Sequence, residues 1–440
     1  MQLLAKKYTK KTRRGILTLV KNFLFTYRFP SWFILGFFLV TVGLNQGFAI
    51  SQTQSQESFF ALNDDLIVQV KDNSSFALDL YNRVRTQEGN LFFSPYSIST
   101  AVAMTYAGAR NETATEIAKV MHFSLKQERL HPTFGMMLAN FQTELGSQLN
   151  IANGLWGQEG YGFLAQCIEL IKNNYKAPIA EVDFTSKSED VRQQINAWIA
   201  QETQNKITEF ISEGALNSET RLVLTNAVSF QGSWEFPFDE SLTKEEPFTI
   251  ASGEQVSVPM MHHPELSFVS YADLPELKIL ELPYVGSRLS AIVLLPKQAN
   301  GLAQLEAQLT PENLNQWLSA LAEFPPDAKI AVWLPKLNIS SELNLKRILS
   351  AMGMEQAFNE QADFSGFNGK QDLYLSHAVH KAYVNIDEMG TQAGVATGAI
   401  GATRGGLQGS FRGDRPFIFL IRDNVSKSIL FLGRVVNPLE

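Results

Sequence analysis

Glu388-Met-Gly-Thr-Gln-Ala-Gly-Val-Ala-Thr-Gly-Ala-Ile-Gly-Ala-Thr-Arg-Gly-Gly-Leu-Gln-Gly-Ser-Phe411 is unlike the rest of this 440-residue chain. Past Glu388 its only charged residue is Arg404, and it is rich in Ala, Gly and Thr with few large apolar side chains. A strand-like run, Leu373 to Ile386, precedes it, and two more, Phe417 to Ile421 and Ile429 to Val436, follow. A connection of this length is uncommon in a folded domain unless it is functional or disordered. From these residues alone it reads either as a flexible surface loop or as a working segment.

Further strand signals lie upstream: Leu222 to Phe230, Leu289 to Leu295 and Lys329 to Leu334 are apolar and β-favouring. Helical signals cluster earlier. Thr113-Ala-Thr-Glu116 reads as a capping box feeding Ile117, Val120 and Met121. Ser188 is placed to cap a helix whose Val191, Ile195, Trp198 and Ile199 share a face. Glu312 to Phe324 and Ser341 to Phe358 read as two more helices. Helices early and strands late predict an α+β fold with helices on one side of mixed sheets.

With 45% hydrophobic residues the chain can build a large core, and disorder is excluded. The single Cys167 excludes a disulfide framework and reads as a small buried apolar residue. Net charge is −7, yet residues 1–49 carry eight bases and no acid. The remainder holds 29 bases against 44 acids, a net of −15, which excludes nucleic acid as a partner. Behind the basic start, Trp32 to Gly43 is an apolar run, with Gly47-Phe48-Ala49 as a small-x-small exit. Residues 1–49 are therefore expected to be an export leader, secretory or periplasmic, with an uncleaved membrane anchor as the alternative. Residues 50–58 read as a polar spacer and 59–440 as one domain.

Catalytic patterns are missing. There is no Gly-x-Ser-x-Gly elbow, no His-Glu-x-x-His, no phosphate loop and no Gly-x-Gly-x-x-Gly. His377 and His380 are three apart in a strand-like run, so they face opposite ways and do not share a metal. His262 and His263 diverge for the same reason. An enzyme is not expected, nor a metal or cofactor.

A series of short segments, taken in order, resembles the serpins, the serine protease inhibitor fold. They are Asn90-Leu-Phe-Phe-Ser94-Pro95-Tyr-Ser97-Ile98, Thr225-Asn226-Ala227 to Trp234, Val258-Pro259-Met260-Met261, Leu282-Pro283-Tyr284, Leu334-Pro335-Lys336-Leu337 and Asp363-Phe364-Ser365-Gly366. His380-Lys381-Ala382 then leads to Glu388-Met389-Gly390-Thr391-Gln392-Ala393, which is similar to the family's hinge. Arg415-Pro416-Phe417 and Phe431 to Pro438 match its C-terminal signatures. The resemblance implies three β-sheets, eight or nine helices and an exposed reactive-centre loop on a metastable fold. In inhibitory members a protease cuts the loop and is acylated, and the freed loop inserts as a strand into the largest sheet.

A strand sends alternate residues to opposite faces. The face starting at the hinge Thr, buried in the family, would here carry Thr391, Ala393, Val395, Thr397, Ala399 and Gly401. All are small or β-branched and uncharged, so insertion buries no unpaired charge. The other face holds Gln392, Gly394 and Ala396, with Gly394 weakening strand preference and Val395 favouring it.

Counted from Glu388, the resemblance places the scissile bond at Arg404–Gly405, with Thr403–Arg404 as the alternative. Arginine's planar fork suits an acidic specificity pocket. The expected partner is a trypsin-like serine protease, and second to it an Arg-specific cysteine protease. By the same resemblance Ser94, Ser97, Asn226 and His380 form a shutter controlling sheet opening, Trp234 marks the breach, and Lys336 and Glu388 form a salt bridge. The stretch Phe123 to Leu145 offers only Lys126 and Arg129, so a heparin-type polyanion is not expected. A monomer is. The competing reading is a non-inhibitory serpin acting in binding or folding assistance.

Overall fold

The computed structural model describes residues 63–141, 147–323, 325, 328–391 and 407–440. The leader and spacer, Gln392 to Thr397 of the hinge, and Arg404 and Gly405 lie outside the described residues.

Three sheets carry the fold. The main sheet runs in the order Leu337–Asn344, Leu375–Asp387, Gly390–Thr391, Leu222–Ser233, Ser147–Gln158, Ile179–Val182. A second sheet of six strands holds Leu91–Phe93, Ile429–Val435, Phe417–Asp423, Leu289–Pro296, Leu277–Pro283 and Ser270–Asp273. The third has Leu407–Arg412, Lys329–Pro335, Gln255–Ser267 and Lys244–Thr249. The fold is α+β, as expected. Among the described residues ten helices accompany the sheets, against the eight or nine implied, and two of them, Leu302–Ala307 and Ser365–Asn368, are only a turn or so long.

Strand Leu222–Ser233 is buried along nearly its whole length, as a continuous apolar run demands when both faces are covered. Helix Phe184–Glu202 lies against the main sheet, seating Phe184, Val191, Ile195 and Ile199 on Ala152, Trp156, Val223 and Ala227. Helix Pro95–Tyr106 is buried on every side, which suits its Ala, Val, Ile and Met content. Pro95 begins it and the Ser94 hydroxyl caps it, accepting from the Ser97 N–H at 3.1 Å.

Local signals misplaced three helix starts. Thr113 does not cap: its helix begins at Asn111, and the buried Thr113 hydroxyl accepts from the Asp363 N–H instead. Glu116 accepts from the Gln356 N–H, so both capping-box residues serve a distant segment. Asp183 caps Phe184–Glu202, five residues ahead of the expected cap Ser188, and the backbone breaks from helical geometry at Lys187, just before Ser188. Ser341–Asn344, expected as helix, is strand paired with Val379–Ala382, and the helix is only Leu345–Met352, stopped by Gly353 at φ +111°.

Candidate functional site at the head of the main sheet

The two central strands of the main sheet run parallel and are paired directly from Leu375↔Leu222 to Tyr383↔Ser229. Above that point they part, and Gly390–Thr391 is wedged between them. Thr391 pairs with Ile386 on one side and Gly232 on the other, and Gly390 with Asp387 and Ser233. The sheet is thus closed below and opened by two residues at its head.

Gly390 is the one residue type that fits there. Its φ is +141°, and a Cβ would sit 2.2 Å from the Gly232 carbonyl oxygen. Thr391 is fully buried and its hydroxyl bonds Tyr284 Oη at 2.8 Å. Tyr284 stacks on Trp234 with centroids 4.6 Å apart and planes 12° off parallel. Trp234 donates from its indole to the Asp387 carbonyl (3.0 Å) and from its backbone to Met389 (2.9 Å). Asp387, Met389 and Thr391 are therefore tied to one aromatic pair.

Glu388, 4% exposed, accepts from Lys336 Nζ at 2.8 Å and from the Thr243 hydroxyl at 2.7 Å. Burial works against its charge, but the bonds from Lys336 and Thr243 prevail and hold its carboxyl below the usual range.

Lower in the sheet, His380 and Asn226 are register partners on the two parting strands. The Ser94 N–H donates to His380 Nε2 at 3.2 Å. The ring proton must then sit on Nδ1, which donates to Asn226 Oδ1 at 2.5 Å. Asn226 Nδ2 donates in turn to the Ser97 carbonyl (3.2 Å), the Ser97 hydroxyl (2.5 Å) and Asn153 Oδ1. The Ser94 hydroxyl closes the cluster by donating to the Leu430 carbonyl at 2.6 Å. Burial drives the His380 pKa down to about 3, so the imidazole is neutral.

Ser94, Ser97, Asn226 and His380 are thus brought into one cluster, and Glu388, Gly390, Thr391, Trp234 and Lys336 into a second at the sheet head. His377 is on the opposite face from His380 and only partly buried. Cys167 is buried and its thiol is pushed up to about 11 by burial. Asn153, Tyr284 and Thr243 were not assigned roles from sequence. Asn153 becomes legible only once strand pairing sets it opposite Asn226.

The central strands of the main sheet are thus parted at one end by the segment that follows Leu375–Asp387. A family model described as Serpin (serine protease inhibitor) matches residues 71–438. Leukocyte elastase inhibitor of Xenopus tropicalis is 40% identical over 372 residues, covering 82% of this chain and 97% of that protein. Serpin B3 of Homo sapiens is 37% identical over 386 residues, covering 83% and 98%. Uncleaved ovalbumin superimposes with a TM-score of 0.75 at 28% identity, covering 84% of this chain and all of that one. The chain belongs to the serpin family. The family model is described as an inhibitor and the Xenopus relative is named as one, and the chain is not an enzyme.

The expectation of export is corrected by these relatives. The matched body accounts for 97% and 98% of their own length, which leaves them no room for a counterpart of the basic leader. These relatives support neither a secreted or periplasmic location nor a membrane anchor. Among the described residues no helix is long and apolar enough to cross a membrane.

Proposed function

We propose that this serpin is a suicide inhibitor of trypsin-like serine proteases, cut at Arg404–Gly405, which then inserts residues 389–403 as a strand. The observation that carries the reading is the wedge of Gly390–Thr391 between the central strands. Continuing its register one residue at a time sets Thr397 opposite both His380 and Asn226, and Gly401 opposite Leu222, where that strand begins. The inserting segment is thus as long as the gap it fills, and the cut falls just beyond the sheet. Every second residue from Thr391 to Gly401 would be buried, and none is charged.

Insertion breaks the ladder from Leu375 to Tyr383 and the His380–Asn226 bond, then makes two new ladders. The net gain is about one ladder of roughly ten hydrogen bonds. At a net ~0.5–1.5 kcal/mol each it is on the order of 10 kcal/mol. That is comparable with the ~5–15 kcal/mol that keeps a domain folded, enough to distort a trapped protease. We read residues 59–440 as a single inhibitory domain, consistent with the one compact unit Asn63–Glu440.

Two of the relatives are named for elastase or as a serpin, not for trypsin. Arg404, the lone charge in residues 389–411, is what directs this chain to an acidic specificity pocket. Incubation with trypsin, denaturing gels and intact mass test the proposal. The expected result is a stable covalent complex with release of a peptide starting at Gly405. Clean cleavage with no complex, for trypsin and for every other Arg-specific protease tried, would leave the non-inhibitory serpin reading.

A further inference from the structure

Away from the main sheet, a cavity of about 400 Å³ lies where the chain leaving helix Pro95–Tyr106 faces helices Gln127–Phe141 and Ala165–Tyr175. That is the size of a small-ligand cleft. Arg110 and Glu128 line it, and among the described residues neither forms an ion pair, with the other or with any third group. Arg110 is exposed yet held by the main chain. Its Nη1 donates to the Ala107 and Ala109 carbonyls at 3.0 and 2.7 Å, and its guanidinium lies on Gly366, where a Cβ would sit 2.6 Å from it. The remaining edge of the fork bonds nothing in the described fold.

His131 lines the same cavity and is 2% exposed. Its Nδ1 meets Tyr175 Oη at 2.6 Å, outside the cavity, and Nε2, which points away from that bond, has no partner. A buried polar atom left unpaired is costly and calls for a partner that this fold does not supply. Burial takes the His131 pKa down to about 4, with Glu128 raising it and Arg110 lowering it, so both charges act at one neutral ring. Gln166 stands in the first turn of its helix, whose cap Leu164 offers no side chain, and the Ala165 and Gln166 N–H groups are unbonded among the described residues. Such a turn favours a negative group. Pro132 and Leu170 add an apolar wall.

We propose that this cavity binds a small zwitterion, an aliphatic α-amino acid, with its carboxylate on Arg110 and the turn at Gln166, its ammonium on Glu128 and its side chain against Pro132 and Leu170. A simple anion would suit Arg110 but be repelled by Glu128, and a simple cation the reverse. A molecule carrying both charges satisfies both through charge-assisted hydrogen bonds. The ammonium has a further N–H for His131 Nε2, which accepts when Nδ1 donates to Tyr175. No residue of this site belongs to the sheet head or to the cluster around His380, so the inference stands apart from the inhibitory reading.

Calorimetric titration of the full chain with L-leucine, N-acetyl-L-leucine and L-leucinamide tests it. L-leucine should bind saturably with a Kd of about 1 mM or tighter. The acetylated form lacks the ammonium and the amide lacks the carboxylate, so each should bind roughly tenfold more weakly or worse. Arg110→Gln and Glu128→Gln should each weaken L-leucine by a similar factor. Glu128 makes no bond within the described fold, so Glu128→Gln should leave the melting temperature of the free chain unchanged. No binding of L-leucine up to about 10 mM would overturn the proposal. So would equal binding of N-acetyl-L-leucine, which would mark a plain anion site, or an unchanged affinity in Glu128→Gln, which would place the ligand elsewhere.

Discussion

His380 has one workable tautomer, because Ser94 aims an N–H at Nε2 and Asn226 aims an oxygen at Nδ1. Protonating Nε2 would set two donors against each other inside the core. The folded pKa of about 3 lies below the unfolded value near 6.5, so the unfolded chain binds more protons between them. His380 therefore favours folding fully above pH 6.5, and that contribution fades as pH falls toward 3, by on the order of 4–5 kcal/mol. Urea unfolding midpoints across that range should fall with acid in the parent, and much less in His380→Gln. Asn226→Ala removes the donor to Ser97 and Asn153 and leaves the His380 Nδ1–H without an acceptor. A loss of about 2–4 kcal/mol is expected in the same assay. Gly390 is the other residue with no substitute: Gly390→Ala puts a methyl into the Gly232 carbonyl, so the wedge should be expelled and the share of loop cut without trapping should rise.

At the scale of elements, six strands were readable as short apolar β-favouring runs, with ends within three residues of the observed ones, whereas Ser147–Gln158 and Gln255–Ser267, which carry polar residues and a proline, gave no such run. Helix starts were less readable. Thr113 and Glu116 have the spacing of a cap, yet their polar atoms are used by Asp363 and Gln356, some 240 residues away. Ser341–Asn344 has no local signal against helix, and pairing with the strand that carries His380 decides it. The inserting strand gives this scale its own prediction. Thr397→Glu would set a carboxylate opposite His380 and Asn226 in the sheet core, where an unpaired charge is costly. Trypsin should then cut the loop as before at Arg404, but the gel should show cut chain in place of complex.

For the whole molecule, one ladder separates the closed sheet from the filled one. If that ladder is worth on the order of 10 kcal/mol, cutting the loop should raise the melting temperature by roughly 10 °C or more for a unit of this size. Scanning calorimetry before and after limited proteolysis measures it, and an unchanged midpoint would mean that the cut loop stays outside.

The family, the α+β class, the uncharged alternating face of the loop and the lone Arg404 were all legible in the residues themselves. Each is a property of types and order along one stretch of chain, and local chemistry is sufficient for it. Glu388, Gly390 and Thr391 were legible as a motif resembling the family's hinge, but not the reason for Gly390, which is a carbonyl on another strand. Asn153 had no local mark, and Tyr284 was marked only as part of a motif, since what each does comes from what strand pairing sets beside it. Register is a long-range quantity, fixed by burial on both sides of a sheet at once. That is why the tertiary structure alone decided which polar groups gather around His380 and Asn226.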